Sequence, residues 1–500
     1  MDGAAVKEDL RSASSTSGPN GEVIGGARPA DGPALVGRPP GVRLVLALAW
    51  PVLVQQALIL AVSLSDRFLA GYFRPPDPSR HIALQSAQNT AIYLAWFIVS
   101  LTVLVTVGST ALVARFVGAG DRQAAVRAAN QSLLLAVCLG LLGTAIGLAV
   151  LREGIELLQL RGEAAAYAVA YLRPPLLLLV FQVVQSAGVA CLVGAGDTRS
   201  GMWVLGGVAV LNIPLAWLFF HGLGPLPGLG FVGIAWGTAL SNTLGGLVVL
   251  AVLAHGRAGL RLRLSLLWPD GQLLGRLLRV SVPAAADSLS ASLGQLWFLS
   301  IVNQLGDTAA SAHGIALGWE ALAFLSGTAF GTAAMTLVGQ NLGARRPDQA
   351  RRAGWVAFGL GGAVMAGMGL VFFILAPQMF FLFCPNPEQR PVIEAGIPVL
   401  RLVAFAMPAL ASCIIFTSAL RGAGDTRIPV LFTLTGFFAV RIPLAYYLAL
   451  ERVDLGPLGD WPGAGLGLIG AWLAMFADLV VRGAFLLYRF ASGRWQQARV

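Results

Sequence analysis

The hexapeptide Gly194-Ala-Gly-Asp197-Thr-Arg199 returns in the second half of the chain as Gly422-Ala-Gly-Asp425-Thr-Arg427, at an offset of 228. Each copy suits a tight turn between helices: a glycine ends one helix in the left-handed conformation, and the aspartate caps the next. Neither copy is a phosphate loop, because no strand precedes it and no lysine follows its glycines. Around the hexapeptide the repeat widens. Asn212-Ile-Pro-Leu-Ala-Trp217 is answered by Arg441-Ile-Pro-Leu-Ala-Tyr446 at an offset of 229. Leu112-Val113 and Gly118-Ala119 are answered by Leu337-Val338 and Gly343-Ala344 at 225, and Pro51 by Pro283 at 232. Landmarks in the same order at nearly equal spacing describe a duplicated unit.

Composition names the solvent. Of 500 residues, 56% are apolar and 12% charged, with a mean hydropathy of +0.74. A water-facing surface needs roughly twice that charge. The 61 glycines suit helices packed closely in lipid. Apolar segments separated by short polar breaks cover about 44–71, 86–114, 129–151, 166–192, 201–220, 231–254, 276–304, 309–340, 353–379, 391–419, 428–450 and 466–488. Each reaches the ~20 residues needed to cross the hydrocarbon core.

The predicted fold is therefore an all-α integral membrane protein of twelve transmembrane helices in two six-helix bundles. An even unit inserts both copies the same way up, which gives a pseudo-twofold axis along the membrane normal. The expected organisation has five parts. Residues 1–43 form a disordered cytoplasmic tail rich in Gly, Ala, Ser and Pro. The bundles occupy 44–254 and 276–489, joined by a basic cytoplasmic linker over 255–275 whose Leu/Arg alternation suits a membrane surface. A short cytoplasmic tail, 490–500, ends the chain.

The net charge of +10 is spread as arginines between apolar segments, with no basic, aromatic-interleaved face for nucleic acid. One set of loops is read as holding fifteen arginines, from Arg115 and Arg122 through Arg421 and Arg427, against six in the alternate set. The positive-inside rule then places both termini in the cytoplasm of a cell-membrane protein. Cys138, Cys191, Cys384 and Cys413 are singletons and the four histidines are scattered, so no metal spacing occurs and no cofactor is expected.

Several pieces carry a family resemblance. Asp66 follows Pro51 in the first span, and Leu337-Val-Gly-Gln-Asn-Leu-Gly-Ala344 runs into Arg345-Arg-Pro-Asp-Gln-Ala-Arg-Arg352. The doubled turn and the terminal Tyr488-Arg-Phe with Gly493-Arg-Trp495 complete the set. Over roughly residues 44–496 the chain resembles the multidrug and toxic compound extrusion (MATE) family of cation-coupled efflux antiporters. That resemblance implies a V-shaped cleft between the bundles and ATP-independent alternating access. It also implies export of small organic, cationic compounds in exchange for H+ or Na+, the transported ion taking the place of a cofactor. It maps a cation- or proton-binding carboxylate onto Asp66. The fifth span departs from the family pattern of Asn followed one helical turn later by Asp: Asn212 is present as a polar cavity residue, but Ala216 stands at the second position.

Ionisable residues inside spans are functional candidates, because charge in lipid is costly. Asp287, Glu320 and Asp478 lie near mid-span, as does Arg441 at the position of Asn212 in the first copy. Three acids and one guanidinium predict an acidic centre suited to a proton, Na+ or an organic cation. Arg441 is expected to pair with one of the acids. The ion-coupling candidates are thus Asp66, Asp287, Glu320 and Asp478, with Arg441 as charge partner. Gly194, Asp197, Gly422 and Asp425 form structural turns. Trp96, Trp217, Trp236, Trp297, Trp319, Tyr446 and Trp472 supply faces for stacking on flat cations. The expected partners are the substrate, the coupling ion and the lipid bilayer, for a monomer that binds no nucleic acid. A flippase for lipid-linked precursors, which would favour a cationic cleft for pyrophosphate, and an exporter of one dedicated metabolite are the alternatives. An enzyme would need a clustered nucleophile, a metal site or a His-rich loop, and the sequence presents none.

Overall fold

The computed structural model describes residues 40–72, 100–157, 162–223, 226–454 and 459–498. The expected tail up to residue 39, and positions 86–99 of the second span with Trp96, lie outside them. The first half comprises α1 (Val42–Tyr72), α2 (Ser100–Gly118), α3 (Arg122–Ala149), the short α4 (Leu151–Leu157), α5 (Gly162–Leu177), α6 (Leu179–Gly194), α7 (Thr198–His221) and α8 (Phe231–Ala254). The second comprises α9 (Gly271–Asn303), α10 (Asp307–Gly343), α11 (Pro347–Phe381), α12 (Arg390–Ala423), α13 (Arg427–Leu434), α14 (Ile442–Ala449) and α15 (Gly467–Ala491).

Among the described residues, ten helical stretches are long and apolar enough to cross a membrane, and the bent α5–α6 pair makes an eleventh. The fourth expected span is thus broken. Pro174 and Pro175 remove helix bonds, and the chain bends by 52° after Leu177. The remaining expected span is α9, whose 33 residues reach ~50 Å while carrying Arg276, Arg279 and Asp287. Two short antiparallel hairpins occupy equivalent places in the copies. β1 (Gly222–Leu223) with β2 (Leu226–Pro227) follows α7, and β3 (Arg452–Asp454) with β4 (Asp460–Pro462) follows α14.

The duplication is visible in the packing. Val45 and Leu48 of α1 enter the hydrophobic cluster of the second half with Phe330 and Leu337. Leu277 and Val280 of α9, their counterparts at the offset that relates Pro51 to Pro283, enter the cluster of the first half with Val105 and Leu112. Each half therefore lends the start of its first helix to the other.

Among the described residues, the halves meet most closely where α2 crosses α10. A Cβ on Gly118 would strike the backbone carbonyl of Gln340, and one on Gly343 would strike that of Arg115. Both glycines and both carbonyls are related by the offset that links Leu112 to Leu337, as are Ala114 and Gly339, which face each other at the crossing. The hydrogen bonds are reciprocal to within one residue. Gln340 Nε2 donates to Gly194 O at 2.9 Å, and Arg115 Nη1 donates to Ala423 O at 3.3 Å. Thr336 Oγ1 adds a bond to Val193 O at 3.2 Å. Arg115 also reaches Ala498 O at 3.0 Å, so the C-terminal tail, pinned by the fully buried Trp495, is part of this closure.

Gly343→Ala or Gly118→Ala would force a Cβ into a backbone carbonyl that cannot swing aside, and should cost ~1–3 kcal/mol of stability. Gly207→Ala meets nothing within 4 Å and should leave stability unchanged or higher, since alanine favours helix. Thermal unfolding of the purified proteins in detergent checks this; equal melting temperatures for Gly343→Ala and Gly207→Ala would contradict it.

Candidate ion-coupling and substrate site

Among the described residues, the largest buried charge cluster lies in the second half. Asp478 and Arg482 sit one turn apart on α15, and Asp478 is 0% exposed. Arg482 donates from Nε to Oδ1 at 2.6 Å and from Nη2 to Oδ2 at 2.7 Å. Between α13 and α14 the chain makes a π-helical turn, Thr435–Arg441, the kind of one-turn irregularity often found at functional sites. From its end Arg441 donates Nε to Asp478 Oδ2 at 2.8 Å and Nη1 to Gln295 Oε1 at 2.9 Å. Gly436 opens the room, since a Cβ there would meet Asp478 and the Arg482 stem. Phe437 lies under both cations, 4.2 Å from Arg441 and 4.7 Å from Arg482. Two desolvated guanidiniums on one carboxylate, with an aromatic face as support, are a rigid arrangement.

The second acid is also paired. Arg421, read in the sequence as a loop arginine, lies in α12 and donates Nη2 to Asp287 Oδ2 at 2.6 Å. The expected acidic centre is therefore corrected: Arg421 and Arg482 join Arg441, so three cations face Asp287, Glu320 and Asp478. Spacing discloses only part of this: Arg482 stands one helical turn after Asp478, the i,i+4 signal that could have found it, whereas Arg421 stands immediately before the doubled turn and far along the chain from Asp287.

Glu320 on α10 is buried and, among the described residues, has no ion-pair partner, although Arg441 is close enough to act on it electrostatically. Two turns earlier on the same helix His313 is only 2% exposed, and neither ring nitrogen has a hydrogen-bond partner. Its ring lies between Phe298 at 5.8 Å and Trp472 at 5.3 Å. The scatter of histidines along the chain gives His313 no role; its spacing of two helical turns from Glu320 is the signal that could have found it. Among the described residues no group of His, Cys, Asp and Glu could hold a metal ion.

In the first half Asp66 stands apart. Its Oδ1 is buried and unpartnered. Tyr171, stacked on Phe231 at 4.7 Å, is within electrostatic reach of it, beside a small apolar cluster that includes Leu69, Ala216 and Phe220. Asn212 donates Nδ2 to Thr238 Oγ1 at 3.0 Å and Ser241 Oγ at 3.3 Å, leaving its Oδ1 unpartnered. Ala216 is fully buried where α7 meets α8, so close that a Cβ on Gly237 would lie 2.5 Å from its Cα. Small residues at this crossing occupy the place where the family pattern has an acid. Among the expected stacking faces, Trp217 is largely exposed, Trp472 is buried against His313, and Trp297 donates to Tyr446 Oη at 3.2 Å.

The doubled turns hold with one difference. Gly196 and Gly424 take the left-handed conformation, at φ +91° and +87°. Gly194 and Gly422 instead let α6 and α12 touch the backbones of Thr110 and Met335, which are themselves equivalent in the two copies. Asp197 caps α7 by accepting from Ser200 N at 3.0 Å. Asp425 does not cap α13; Arg489 donates to its Oδ2 at 2.7 and 2.9 Å. Arg257 binds Asp197 at 2.9 Å. It is the counterpart of Arg489 at the offset of Pro51 to Pro283, so each turn is tied to the end of its own half.

A duplicated helical membrane fold with reciprocal packing between its halves and, among the described residues, buried acids without ion-pair partners is the architecture expected of a transporter. The MatE family model matches residues 51–218 and 283–447, once in each half, and the chain belongs to that family. It is 27% identical over 461 residues to the probable multidrug resistance protein NorM of Thermotoga maritima, covering 91% of this chain and 93% of that one. It is 31% identical to the probable multidrug resistance protein NorM of Burkholderia pseudomallei, covering 89% and 91%. The fold matches an outward-facing multidrug resistance MATE transporter of the MOP superfamily with a TM-score of 0.82 at 21% identity, over 94% of this chain and all of that one.

Replacing Asp478 by Asn should cost ~3–5 kcal/mol, because two buried guanidiniums lose their counter-ion. Asp66→Asn and Glu320→Gln break no ion pair and should melt close to the parent protein. Thermal unfolding separates these groups, and a parent-like melting curve for Asp478→Asn would show the cluster to be structurally dispensable.

Proposed function

We propose that this chain is a secondary antiporter that exports small organic, cationic compounds in exchange for H+ or Na+. In this reading residues 44–254 and 276–489 are the two moving bundles, 255–275 joins them, and both termini face the cytoplasm of the cell membrane. The turn end, closed by the α2–α10 crossing, is then the cytoplasmic gate, and the arrangement is the outward-facing one. The similarity to multidrug resistance proteins supports export of foreign compounds.

The observation that carries the reading is Asp66, whose buried carboxylate oxygen is without a partner beside stacked aromatic rings. A proton, Na+ or an ammonium group would each satisfy it, and only one can do so at a time. Competition for one carboxylate is the simplest basis for exchange. Glu320 with His313 forms a second proton- or cation-accepting position, near the fixed charges of Arg441. Asp287 and Asp478 serve as held acids whose release from Arg421, Arg441 and Arg482 would accompany switching. A flippase is disfavoured, since the three arginines of the buried centre, Arg421, Arg441 and Arg482, are held by Asp287 and Asp478 rather than left to a pyrophosphate.

In proteoliposomes loaded with a fluorescent organic cation such as ethidium, an imposed pH or Na+ gradient should drive counterflow. Asp66→Asn should lower the rate at least tenfold, and Glu320→Gln or His313→Asn should change the dependence on the gradient. Full gradient-driven transport by the Asn or Gln variants of all four acids, Asp66, Asp287, Glu320 and Asp478, would falsify the coupling assignment.

A further inference from the structure

The linker between the halves builds a second polar site, away from the central acids. Asn130 and Gln131 of α3, both buried, hold it in place by side-chain bonds to its backbone. Asn130 bonds Arg261 O and Arg263 N, each at 2.9 Å. Gln131 bonds Leu266 O at 2.9 Å, Trp268 O at 2.7 Å and Asp270 N at 3.0 Å. Bonds from both amides hold the backbone of a segment that contains the 3-10 turn Leu264–Leu266, and the buried Leu260 just before it packs into the cluster of the first half.

Between this bracketed linker and the start of α3 lies a cavity of about 610 Å³, lined by Arg122, Arg127, Arg261, Arg263 and His255 and by no carboxylate among the described residues. None of the four arginines has an ion-pair partner among the described residues. Asp121, the acid adjacent in sequence, is engaged in capping α3 through Ala124 N at 2.9 Å. The N–H groups of the first turn of α3 add to the positive potential. Guanidiniums converging on one cavity suit phosphate oxygens, which they bind as paired donors. Beside the cavity the linker presents Leu264 at 80% and Trp268 at 83% exposure. Such apolar and indole side chains next to a basic cluster are the arrangement that places a segment at the lipid interface.

We propose that this cavity is a phosphate-binding site, filled by the headgroup of an anionic phospholipid whose acyl chains lie against Leu264 and Trp268. Juxtamembrane arginines are drawn to an anionic surface, so a pocket of four discriminates strongly against zwitterionic lipid. The site ties the linker, and with it both halves, to the composition of one leaflet.

Native mass spectrometry of the full chain, titrated in neutral detergent with phosphatidylglycerol, phosphatidylcholine or inorganic phosphate, tests the proposal. One phosphatidylglycerol should be retained at least tenfold more tightly than phosphatidylcholine. Arg261→Ala with Arg263→Ala, and separately Arg122→Ala with Arg127→Ala, should each weaken it about tenfold or more. Both leave the Asn130 and Gln131 bracket intact, and the melting temperature checks folding. Leu264→Ser with Trp268→Ser should weaken the lipid and spare inorganic phosphate. Arg346→Ala with Arg352→Ala, which removes the same charge from the same end of the second half, should change nothing. Phosphate binding that depends on these arginines without any preference for the anionic lipid would keep the phosphate site and overturn its lipid occupant. Binding of neither probe, or equal loss in the Arg346/Arg352 control, would overturn the site itself.

Discussion

Where α2 crosses α10, two helices touch through backbone rather than side chains, and the remaining inter-half contacts depend on that approach. Gly118 and Gly343 each lie against a carbonyl of the opposite helix, so the axes come closer than any Cβ would permit. Because the four contacting residues are related by the repeat, one crossing serves both halves at once, as in an isologous interface. The close approach also brings the ends of α6 and α12 within reach of Gln340 and Arg115. In lipid, where burial of apolar surface gives helices no drive to associate, small residues and interhelical hydrogen bonds supply what holds them. This crossing has both.

The reciprocal frame contrasts with the charges it encloses. At the position where the first half has Asn212 reaching two hydroxyls on α8, the second has Arg441 reaching a carboxylate on α15. A guanidinium is longer and must be neutralised, and the π-helical turn before Arg441, the glycine at 436 and the ring of Phe437 are the local accommodations. Buried ions of this kind are costly to assemble and costlier to leave half-made. Asp287 and Asp478 with their three arginines therefore read as a paired framework. Against it Asp66, Glu320 and His313 stand out: among the described residues the two acids have no ion-pair partner, and Asp66 Oδ1 and both ring nitrogens of His313 have no hydrogen-bond partner.

The segment between the halves is held by a third set of contacts. Two buried amides on α3 fix a basic segment whose cations line one cavity and whose Leu264 and Trp268 stand exposed beside it. Arg261 and Arg263 of that segment share the cavity with Arg122 and Arg127 of α3.

Apolar periodicity, the doubled turn and the equal offsets determined the helical membrane fold, the duplication and the acids to inspect, because segment length and residue spacing are properties of the chain alone. Asp66, Asp287, Glu320 and Asp478 were legible as buried charge for the same reason. Which of them are paired was legible only in part. Arg482, one turn from Asp478 on the same helix, was within reach of spacing, but Arg421 and Arg441 meet their acids across helices, and Asp425 finds Arg489 where its counterpart Asp197 caps a helix. His313 acquires meaning only when Phe298 and Trp472 close around it. Partner choice among charges is decided by how closely and at what angle the helices approach, and only the tertiary structure sets that.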